Sequence, residues 1–352
     1  MTDSSSIGFK HWEDIDEGES LPALQFPITQ KTMVLAVCGT RDLMPYHHNP
    51  EYSKSLGNRD QFVNTMFEQA LFGRFVTDWC GPESDFRETT LQMVGQICPG
   101  DIALIEGTVK KKYREGNDHL AYISLTASNE LGVAARSSAT IAMPSREGGP
   151  VEPKRVLSKP TTQVDPEIPD FARDWLGNVT PRTRGVYPIS EVQIMYWCDM
   201  VEDANPLYED TDYARKSRHG GVIAPPMGLI SYMMGRAGQM GVDFDYPDVD
   251  CPGRAAWPPR PDAKPNSHVN MTPPGATDTI ATRSLQSYGK PLRPGDRVFS
   301  EAEVINCSPL KRTRLGLGYF VTQLSTYYNQ HDEIVGTNVF ELLRYGVPDE
   351  GQ

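Results

Sequence analysis

Two short runs of the sequence have the same shape, and one of them could carry out acid–base chemistry. The first contains Asp42 and His47, five positions apart across a turn that includes Pro45. An imidazole exchanges protons near neutral pH and a carboxylate accepts hydrogen bonds, so the pair could hold and deprotonate a water molecule. The second run has Asp203 in the place of the acid but Tyr208 in the place of the histidine. Because a phenol has an ordinary pKa of about 10, we expect one active turn and one structural turn.

The elements around the two turns also repeat. In each half an apolar segment leads to the turn, a Gly-containing loop and an apolar helix follow, and a Pro-Gly-Asp turn (residues 99–101 and 294–296) opens a tail of alternating strands. Apolar residues at three- and four-residue spacing over residues 62–79 predict a long helix, buried on most of its circumference, that Gly81 and Pro82 end. The spacing predicts a shorter second helix over residues 227–234. The fold class is therefore α+β, with a repeated unit of one helix and antiparallel strands.

The chain divides into two domains of ordinary size. We predict an N-terminal catalytic domain over residues 1–146, a linker rich in Pro, Gly and charge over 147–180, and a C-terminal domain over 181–352. A Pro-rich insert at about 238–277 lengthens the second domain and cannot continue a helix.

Composition excludes several classes of protein. The formal net charge of −12 argues against a nucleic-acid partner. No apolar run is long enough to span a membrane, and the acidic N-terminus lacks the features of a signal peptide, so we expect a cytoplasmic protein. The six cysteines are widely separated, which predicts free and mostly buried thiols and no metal site.

The first turn also carries a family resemblance. Residues 42–47, DLMPYH, resemble the D-x-N-P-x-H signature of the MaoC-like (R)-specific enoyl-CoA hydratases, although Arg41 and Met44 depart from the family's glycine and asparagine. The stretch RDLMPYHHNPEYSKSLGNRDQFVNTMFEQALFGRFVTDWCGPES is similar to the catalytic subunit of two-subunit hydratases that act on steroid side-chain enoyl-CoA thioesters. The stretches VEDANPLYEDTDYARKSRHGGVIAPPMGL and PLRPGDRV are similar to the noncatalytic partner subunit. The resemblance implies a tandem (double) hot-dog fold, in which each half is an antiparallel sheet wrapped around a central helix.

The resemblance also implies roles for individual residues. It makes Asp42 and His47 the catalytic pair, with His48 as the rival for the histidine role. It puts the oxyanion-binding backbone N–H at the start of the first helix, on Asn64 or Thr65, where the family's His-Gly pair is replaced. The phosphates of coenzyme A need basic residues, and two basic runs are candidates. These are Lys110–Lys112 and the preferred set of Lys311, Arg312 and Arg314.

The implied reaction is hydration of a 2-enoyl-CoA, or the reverse dehydration of a 3-hydroxyacyl-CoA. It needs no cofactor beyond the thioester, and a short second helix would leave room for a bulky acyl group such as a steroid side chain. A hot-dog thioesterase acting through Glu68 or Gln69 is one alternative, and a noncatalytic acyl-CoA-binding protein is another. An acyl carrier protein could replace coenzyme A in the substrate. The two unlike halves could pair internally, and if two-subunit relatives assemble as tetramers, the chain should assemble as a homodimer.

Overall fold

The computed structural model of the protein describes residues 9–152, 157–160, 164–235 and 271–348. The strands are β1 (Leu24–Pro27), β2 (Asp85–Met93), β3 (Ile102–Glu115), β4 (Asp118–Asn129), β5 (Gly132–Ala142), β6 (Thr183–Arg184), β7 (Asp278–Tyr288), β8 (Phe299–Cys307), β9 (Lys311–Thr313), β10 (Gly316–Tyr328) and β11 (Ile334–Val347). The α-helices are α1 (Gln30–Thr40), α2 (Pro50–Ser55), α3 (Thr65–Cys80), α4 (Asp170–Arg173), α5 (Glu191–Val201), α6 (Pro206–Glu209) and α7 (Thr211–Lys216).

The strands form one 11-stranded sheet in the order β1-β3-β4-β5-β2-β7-β11-β10-β8-β6, with β9 paired to β10. Read outward from the middle, the strands of the two halves follow each other in the same order. At the junction β2 and β7 run antiparallel, from the pair Glu88–Ser287 to the pair Gln92–Arg283. The chain therefore contains two copies of one scaffold side by side, which confirms the predicted tandem hot-dog fold.

Helix α3 fills the centre of the N-terminal half, as predicted. It begins at Thr65 because the Asn64 side chain accepts a hydrogen bond from the N–H of Phe67, 2.8 Å away, and so caps the helix. It ends before Gly81, whose φ of 93° is a conformation that glycine adopts without strain. Residues 66–73 are all buried, so the sheet and the neighbouring elements enclose the helix on every side.

The C-terminal half differs from this arrangement where its own central helix was expected. Residues 227–234 form two 3-10 turns, Pro226–Gly228 and Ser231–Met233, instead of the predicted short α-helix. A proline and a glycine in this short stretch disfavour a regular helix. The sulfur of Met227 packs so closely on Gly73 of α3 that a Cβ at Gly73 would collide with it. Most of the predicted insert at 238–277 lies outside the described residues, and residues 271–277 form neither helix nor strand.

Helices α1 and α5 pack against each other and hold the two turns in place. A Cβ on Gly39 of α1 would lie 2.7 Å from the carbonyl oxygen of Tyr196 and 2.8 Å from the sulfur of Met200, so only glycine allows this close approach. Each helix ends at a residue in the left-handed region, Arg41 with φ 58° and Glu202 with φ 56°. These matching reversals send the chain into the two turns in the same way.

The later part of the predicted 147–180 linker packs on the C-terminal sheet. Ile168 and Ala172 form a small core with Ala302 and Val304 of β8. The N–H of Thr180 also donates to the carbonyl oxygen of Ala302, 2.8 Å away. Residues 168–180 therefore belong structurally to the C-terminal half.

No helix in the described ranges is long and apolar enough to cross a membrane. The described cysteines are free thiols, of which Cys38 is exposed and Cys80, Cys98, Cys198 and Cys307 are buried. This pattern agrees with the sequence prediction, and Cys251 lies outside the described residues.

Candidate active site

The predicted catalytic turn follows directly from α1. The left-handed conformation of Arg41 ends the helix, and the Oδ1 of Asp42 then accepts a hydrogen bond from the N–H of Met44, 3.3 Å away. Pro45 opens a 3-10 turn over Pro45–His47, at a position where its missing N–H leaves no bond unmade. The turn brings the Asp42 carboxylate and the His47 imidazole to the same place.

The two side chains form a buried pair of hydrogen-bond acceptors. The Nε2 of His47 lies 3.5 Å from the Oδ2 of Asp42, with the side chains 8% and 15% exposed. The Nδ1 of His47 lies 2.7 Å from the carbonyl oxygen of Phe62. Because a carbonyl oxygen only accepts, Nδ1 carries the proton, and in the neutral ring Nε2 is left as an acceptor. A water molecule beside the two atoms can donate one hydrogen to each of them.

Two aromatic rings pack against the imidazole of His47. The rings of Tyr46 and Phe62 meet it edge to face, with centroids 4.8 Å and 5.1 Å away. Burial, and then the nearby charge of Asp42, raises the pKa of Tyr46 well above its usual range, so the phenol stays neutral. Packing therefore fixes the orientation of the imidazole in addition to its hydrogen bond.

The neighbouring His48 makes a different contact. Its Nε2 lies 3.2 Å from the carbonyl oxygen of Leu43, inside the same turn. The structure thus brings His47 to the acid, and gives His48 a contact within the turn.

Thr40 connects the catalytic turn to the start of α3, a role that sequence reasoning missed. Its Oγ1 accepts hydrogen bonds from the side-chain amide of Asn64 at 2.8 Å and from the N–H of Asp42 at 3.3 Å. The same hydroxyl donates to the carbonyl oxygen of Ala36, 2.6 Å away. The bond between Thr40 and Asn64, which are 24 positions apart, therefore holds the α3 N-terminus next to the turn that carries Asp42 and His47.

The backbone N–H groups at the start of α3 are suited to an oxyanion. The first bond of the helix runs from the N–H of Glu68 to the carbonyl oxygen of Asn64, 3.2 Å away, and the Asn64 side chain takes the N–H of Phe67. The N–H groups of Thr65 and Asn64 precede these bonds and have no partner within the helix. Together with the positive end of the helix dipole they can stabilise negative charge on a carbonyl oxygen.

The corresponding turn of the C-terminal half keeps the scaffold but has Tyr208 in place of the histidine. The Oδ1 of Asp203 accepts from the N–H of Asn205, and the Oδ1 of Asn205 accepts from the N–H of Leu207, both at 3.0 Å. Burial raises the pKa of Asp203 to about 6. Burial and the nearby Asp203 raise the pKa of the buried Tyr208 well above its usual value, so this phenol keeps its proton.

The two residues considered for a thioesterase are both buried in α3. Glu68 is 4% exposed, its Oε2 has no hydrogen-bond partner among the described residues, and burial raises its pKa to about 8. Gln69 joins the two halves, since its amide donates to Ser284 at 3.1 Å and its oxygen accepts from Gln286 at 3.2 Å. A carboxyl that is neutral at neutral pH and an amide committed to packing are poorly suited to attack a thioester.

One basic hairpin of the C-terminal half reaches the N-terminal half. It is built by β9 and β10 and exposes Lys311, Arg312 and Arg314. The guanidinium of Arg314 donates to the carbonyl oxygen of Val94, 3.5 Å away. Three residues further on, the carbonyl oxygen of Ile97 accepts from the N–H of Val63, which immediately precedes the cap of α3, at 3.0 Å. The basic hairpin therefore lies close to the chain segment that supports the start of α3.

The other basic run lies within β3 and makes contacts of its own. The Lys112 ammonium donates to the carbonyl oxygen of Ile15 and lies 4.4 Å from the centroid of Trp12. The Lys111 ammonium lies 5.0 Å from the centroid of Tyr113. These contacts favour the β9–β10 hairpin as the phosphate-binding candidate.

Two cavities follow one face of α3. The near cavity, of about 220 Å³, is lined by Gln69, Phe72 and Gly73 of α3 together with Phe86, Thr89, Thr90, Leu125, Ser137, Ala139 and Met227. The far cavity, of about 580 Å³, is lined by Thr77 of α3, by Phe86 and by Asn205 and Tyr208 of the degenerate turn. Thr65, Gln69, Phe72, Gly73 and Thr77 recur at helical spacing, so this face runs from the α3 N-terminus past both cavities over about 18 Å. Neither cavity includes Asp42 or His47, and the near cavity begins one helical turn beyond Thr65.

The sequence is similar to several enoyl-CoA hydratase subunits. The model of the FAS1-like dehydratase domain region matches residues 175–251. An enoyl-CoA hydratase alpha subunit from Thermomonospora curvata is 31% identical over 49% of this chain and 50% of its own length. From Mycobacterium tuberculosis, the alpha subunit of 3-oxo-4,17-pregnadiene-20-carboxyl-CoA hydratase is 28% identical over 46% of this chain and 49% of its own length. The beta subunit of the same enzyme is 27% identical over 36% of this chain and 95% of its own length. The chain thus spans about half the length of the two alpha subunits it matches.

Solved structures match nearly the whole chain. A MaoC domain protein dehydratase from Chloroflexus aurantiacus superposes with a TM-score of 0.63 at 12% identity, covering 97% of this chain and 99% of that one. A double hot-dog protein from Mycobacterium tuberculosis superposes with a TM-score of 0.62 at 11% identity, covering 97% and 100%. At such identities these matches establish the fold alone. The chain therefore has a double hot-dog fold and is similar in sequence to enoyl-CoA hydratase subunits.

Proposed function

We propose that the protein hydrates a 2-enoyl-CoA, or dehydrates a 3-hydroxyacyl-CoA in the reverse direction. The observation that carries this proposal is the pair of facing acceptors, His47 Nε2 and Asp42 Oδ2, 3.5 Å apart, with the Nδ1 proton committed to the Phe62 carbonyl oxygen. The names of the relatives, which are enoyl-CoA hydratase subunits, support it.

The proposed mechanism needs only the chain's own groups and the thioester. Asp42 and His47 orient a water molecule, and the water oxygen attacks Cβ of the enoyl group as its proton passes to the dyad. Electrons from the double bond move to the thioester oxygen, and the backbone N–H of Thr65, with that of Asn64 beside it, stabilises the enolate. Return of a proton to Cα completes the addition of H and OH. We propose that no cofactor takes part, because the thioester itself acidifies Cα.

The coenzyme A part of the substrate would bind at the basic hairpin. Lys311, Arg312 and Arg314 carry the positive charge that the nucleotide phosphates need. The contact of Arg314 with Val94 brings this charge to the N-terminal half, close to the segment that supports α3. In this proposal the C-terminal half contributes phosphate binding while the N-terminal half contributes the chemistry.

We propose that the acyl group is bulky, as in a steroid side-chain thioester. The two cavities beside α3 follow the helix face that starts at Thr65 and support this proposal. The 3-oxo-4,17-pregnadiene-20-carboxyl-CoA named for two relatives carries such a bulky acyl group.

The test is a direct assay with two readouts. Purified protein is mixed with crotonyl-CoA, a long-chain 2-enoyl-CoA and 3-oxo-4,17-pregnadiene-20-carboxyl-CoA, and both enoyl absorbance and free thiol are followed. Loss of enoyl absorbance without thiol release is expected, fastest with the bulky substrate. Thiol release would instead identify the thioesterase alternative, and binding of all three without turnover would identify a noncatalytic acyl-CoA-binding protein. Repeating the assay with acyl carrier protein thioesters distinguishes the carrier.

We also propose that the chain forms a homodimer in the cytoplasm. The two halves already join their sheets through β2 and β7, so one chain corresponds to a pair of hot-dog domains. If relatives built from two subunits assemble as tetramers, two copies of this chain make an equivalent assembly. Light scattering should give twice the mass of the chain, and a monomer at all concentrations would contradict this.

A further inference from the structure

The degenerate turn of the C-terminal half lines the larger of the two cavities. Asn205, Leu207 and Tyr208 contribute to the wall of the far cavity, opposite Thr77 of α3. The cavity lies at the far end of the helix face that begins at the oxyanion position, about 18 Å away by the helical rise. An acyl group that starts at Thr65 and follows this face would therefore end at the turn that lost its catalytic histidine.

Most polar groups of the far cavity already have partners in the protein. Their bonds are Asn205 with the N–H of Leu207, Arg218 with Glu83 and two carbonyl oxygens, Lys290 with Glu333, and Asp85 with Arg87. In the part of the chain that the structure describes, three polar groups of residues lining this cavity have no hydrogen-bond partner: the hydroxyl of Tyr208, the hydroxyl of Ser84 and the Nε of Arg218. A buried hydroxyl without a protein partner gains a hydrogen bond when a ligand supplies an acceptor.

The protonation state of this phenol suits the role of a donor. Burial and the nearby Asp203 raise the pKa of Tyr208 well above its usual value, so the proton stays on the hydroxyl at neutral pH. The rest of the wall offers mainly apolar surface, from Phe86, Leu207, Ile223, Leu229, Leu292 and Val335. A mainly apolar wall with free donors, of which the Tyr208 hydroxyl is one, matches a ring system that carries an oxygen substituent at its far end.

We propose that the degenerate turn is the distal acyl-binding site, and that the Tyr208 hydroxyl donates a hydrogen bond to an oxygen on the end of the acyl group remote from the thioester. The substitution of histidine by tyrosine in this copy thus exchanges a proton-transfer group for a specificity-determining one. The inference rests on the proposed enoyl-CoA hydration and adds the chemical class of the acyl group, a polycyclic group with a distal keto or hydroxyl oxygen.

The experiment compares two substrates that differ only in that oxygen. They are 3-oxo-4,17-pregnadiene-20-carboxyl-CoA and the same enoyl-CoA without the 3-oxo group, with crotonyl-CoA as the short reference. Tyr208→Phe removes the hydroxyl and keeps the ring. Tyr232→Phe is the matched control, because the buried Tyr232 hydroxyl donates to the carbonyl oxygen of Pro225, 2.8 Å away.

The expected result is a loss of roughly tenfold in kcat/KM for the 3-oxo substrate in Tyr208→Phe, mostly through KM, with the deoxygenated substrate and crotonyl-CoA unchanged. Tyr232→Phe should leave the ratio between the two steroid substrates unchanged. The same ratio in wild type and Tyr208→Phe would overturn the inference. Hydration of crotonyl-CoA but of neither steroid by the wild type would also overturn it, while hydration of no enoyl-CoA at all would instead refute the proposed function.

A second variant tests the pocket without touching the tyrosine. Ala224 is 2% exposed and lines the far cavity, so Ala224→Leu should fill part of it. We expect at least a roughly tenfold loss of kcat/KM for both steroid substrates with crotonyl-CoA unchanged. Equal effects on steroid and crotonyl substrates would contradict a distal acyl site.

Discussion

The sharpest prediction concerns the joint action of Asp42 and His47. Three variants test it: Asp42→Asn, His47→Ala and the double variant. Asn keeps the size of the acid but loses its charge, and Ala removes the base. If the two side chains hold one water molecule between them, each single variant should abolish most of the hydration, and the double variant should be no worse than the more severe single one.

The geometry sets the size of the effect. Loss of a positioned general base costs about 10²–10⁴ in rate, which is about 3–5 kcal/mol of activation free energy. The carboxylate of Asp42 lies 3.5 Å from the imidazole nitrogen that gains positive charge during the reaction. At an effective dielectric constant of about 20, that attraction is worth roughly 5 kcal/mol. Independent effects would multiply to about 10⁵ or more, whereas a shared water molecule limits the double variant to about 10³–10⁴.

The assay is the decrease in enoyl absorbance with the preferred substrate, at saturating and at low concentration, with folding checked by circular dichroism. His48→Ala is the matched control, because His48 lies next to His47 but contacts the Leu43 carbonyl oxygen instead of the acid. It should retain activity within a factor of about three, since only a contact inside the turn is lost. Near-wild-type activity of both single variants would refute the catalytic assignment, and fully multiplicative losses would refute the shared water.

Three further predictions address other parts of the molecule. Burial raises the pKa of Glu68 to about 8, so the folded state binds an extra proton and the free energy of unfolding should fall as pH rises from about 4 to 8. Glu68→Gln should remove this trend. In urea titrations at pH 8, the free energy of unfolding of the variant should exceed that of the wild type by at most about 5 kcal/mol. Equal pH trends would contradict it. Gly39→Ala puts a Cβ against the Tyr196 carbonyl oxygen, so thermal unfolding should show a loss of about 1–3 kcal/mol together with reduced hydration, because α1 leads into the catalytic turn. Arg314→Ala should raise KM several-fold for an enoyl-CoA and leave it unchanged for the pantetheine thioester; a parallel rise for both would exclude phosphate binding there.

Local patterns predicted the features that depend on neighbouring residues. The three- and four-residue spacing of apolar side chains identified α3, and the structure begins it three positions later only because Asn64 acts as its cap. The five-residue spacing of Asp42 and His47 identified the turn that brings the two side chains together. Comparing the two halves predicted the duplicated scaffold, which the mirrored strand order confirms.

The features that sequence patterns did not predict depend on contacts between residues far apart in the chain. Nothing in the sequence marks Thr40 as the link to Asn64, since a threonine near the end of an apolar segment is common and its partner is 24 positions away. Helical spacing over residues 227–234 predicted an α-helix, but the segment forms 3-10 turns, and Met227 in the first of them packs onto Gly73 of α3. Residues 168–180 resemble a linker in composition, although Ile168 and Ala172 become part of a core only once β8 is beside them.

The pairing of β2 with β7 also bears on the resistance of the protein to aggregation. If the two halves separated, each of these strands would become an edge with a row of unpaired backbone N–H and C=O groups, which is a template for aggregation. If the two halves were separate, noncovalently associated subunits, dilution would dissociate them and leave both strand edges unpaired. Because one polypeptide carries both strands, each edge finds its complement at an effective concentration that dilution does not change. Covalent linkage therefore protects the sheet from self-association as well as joining the two halves of the chain.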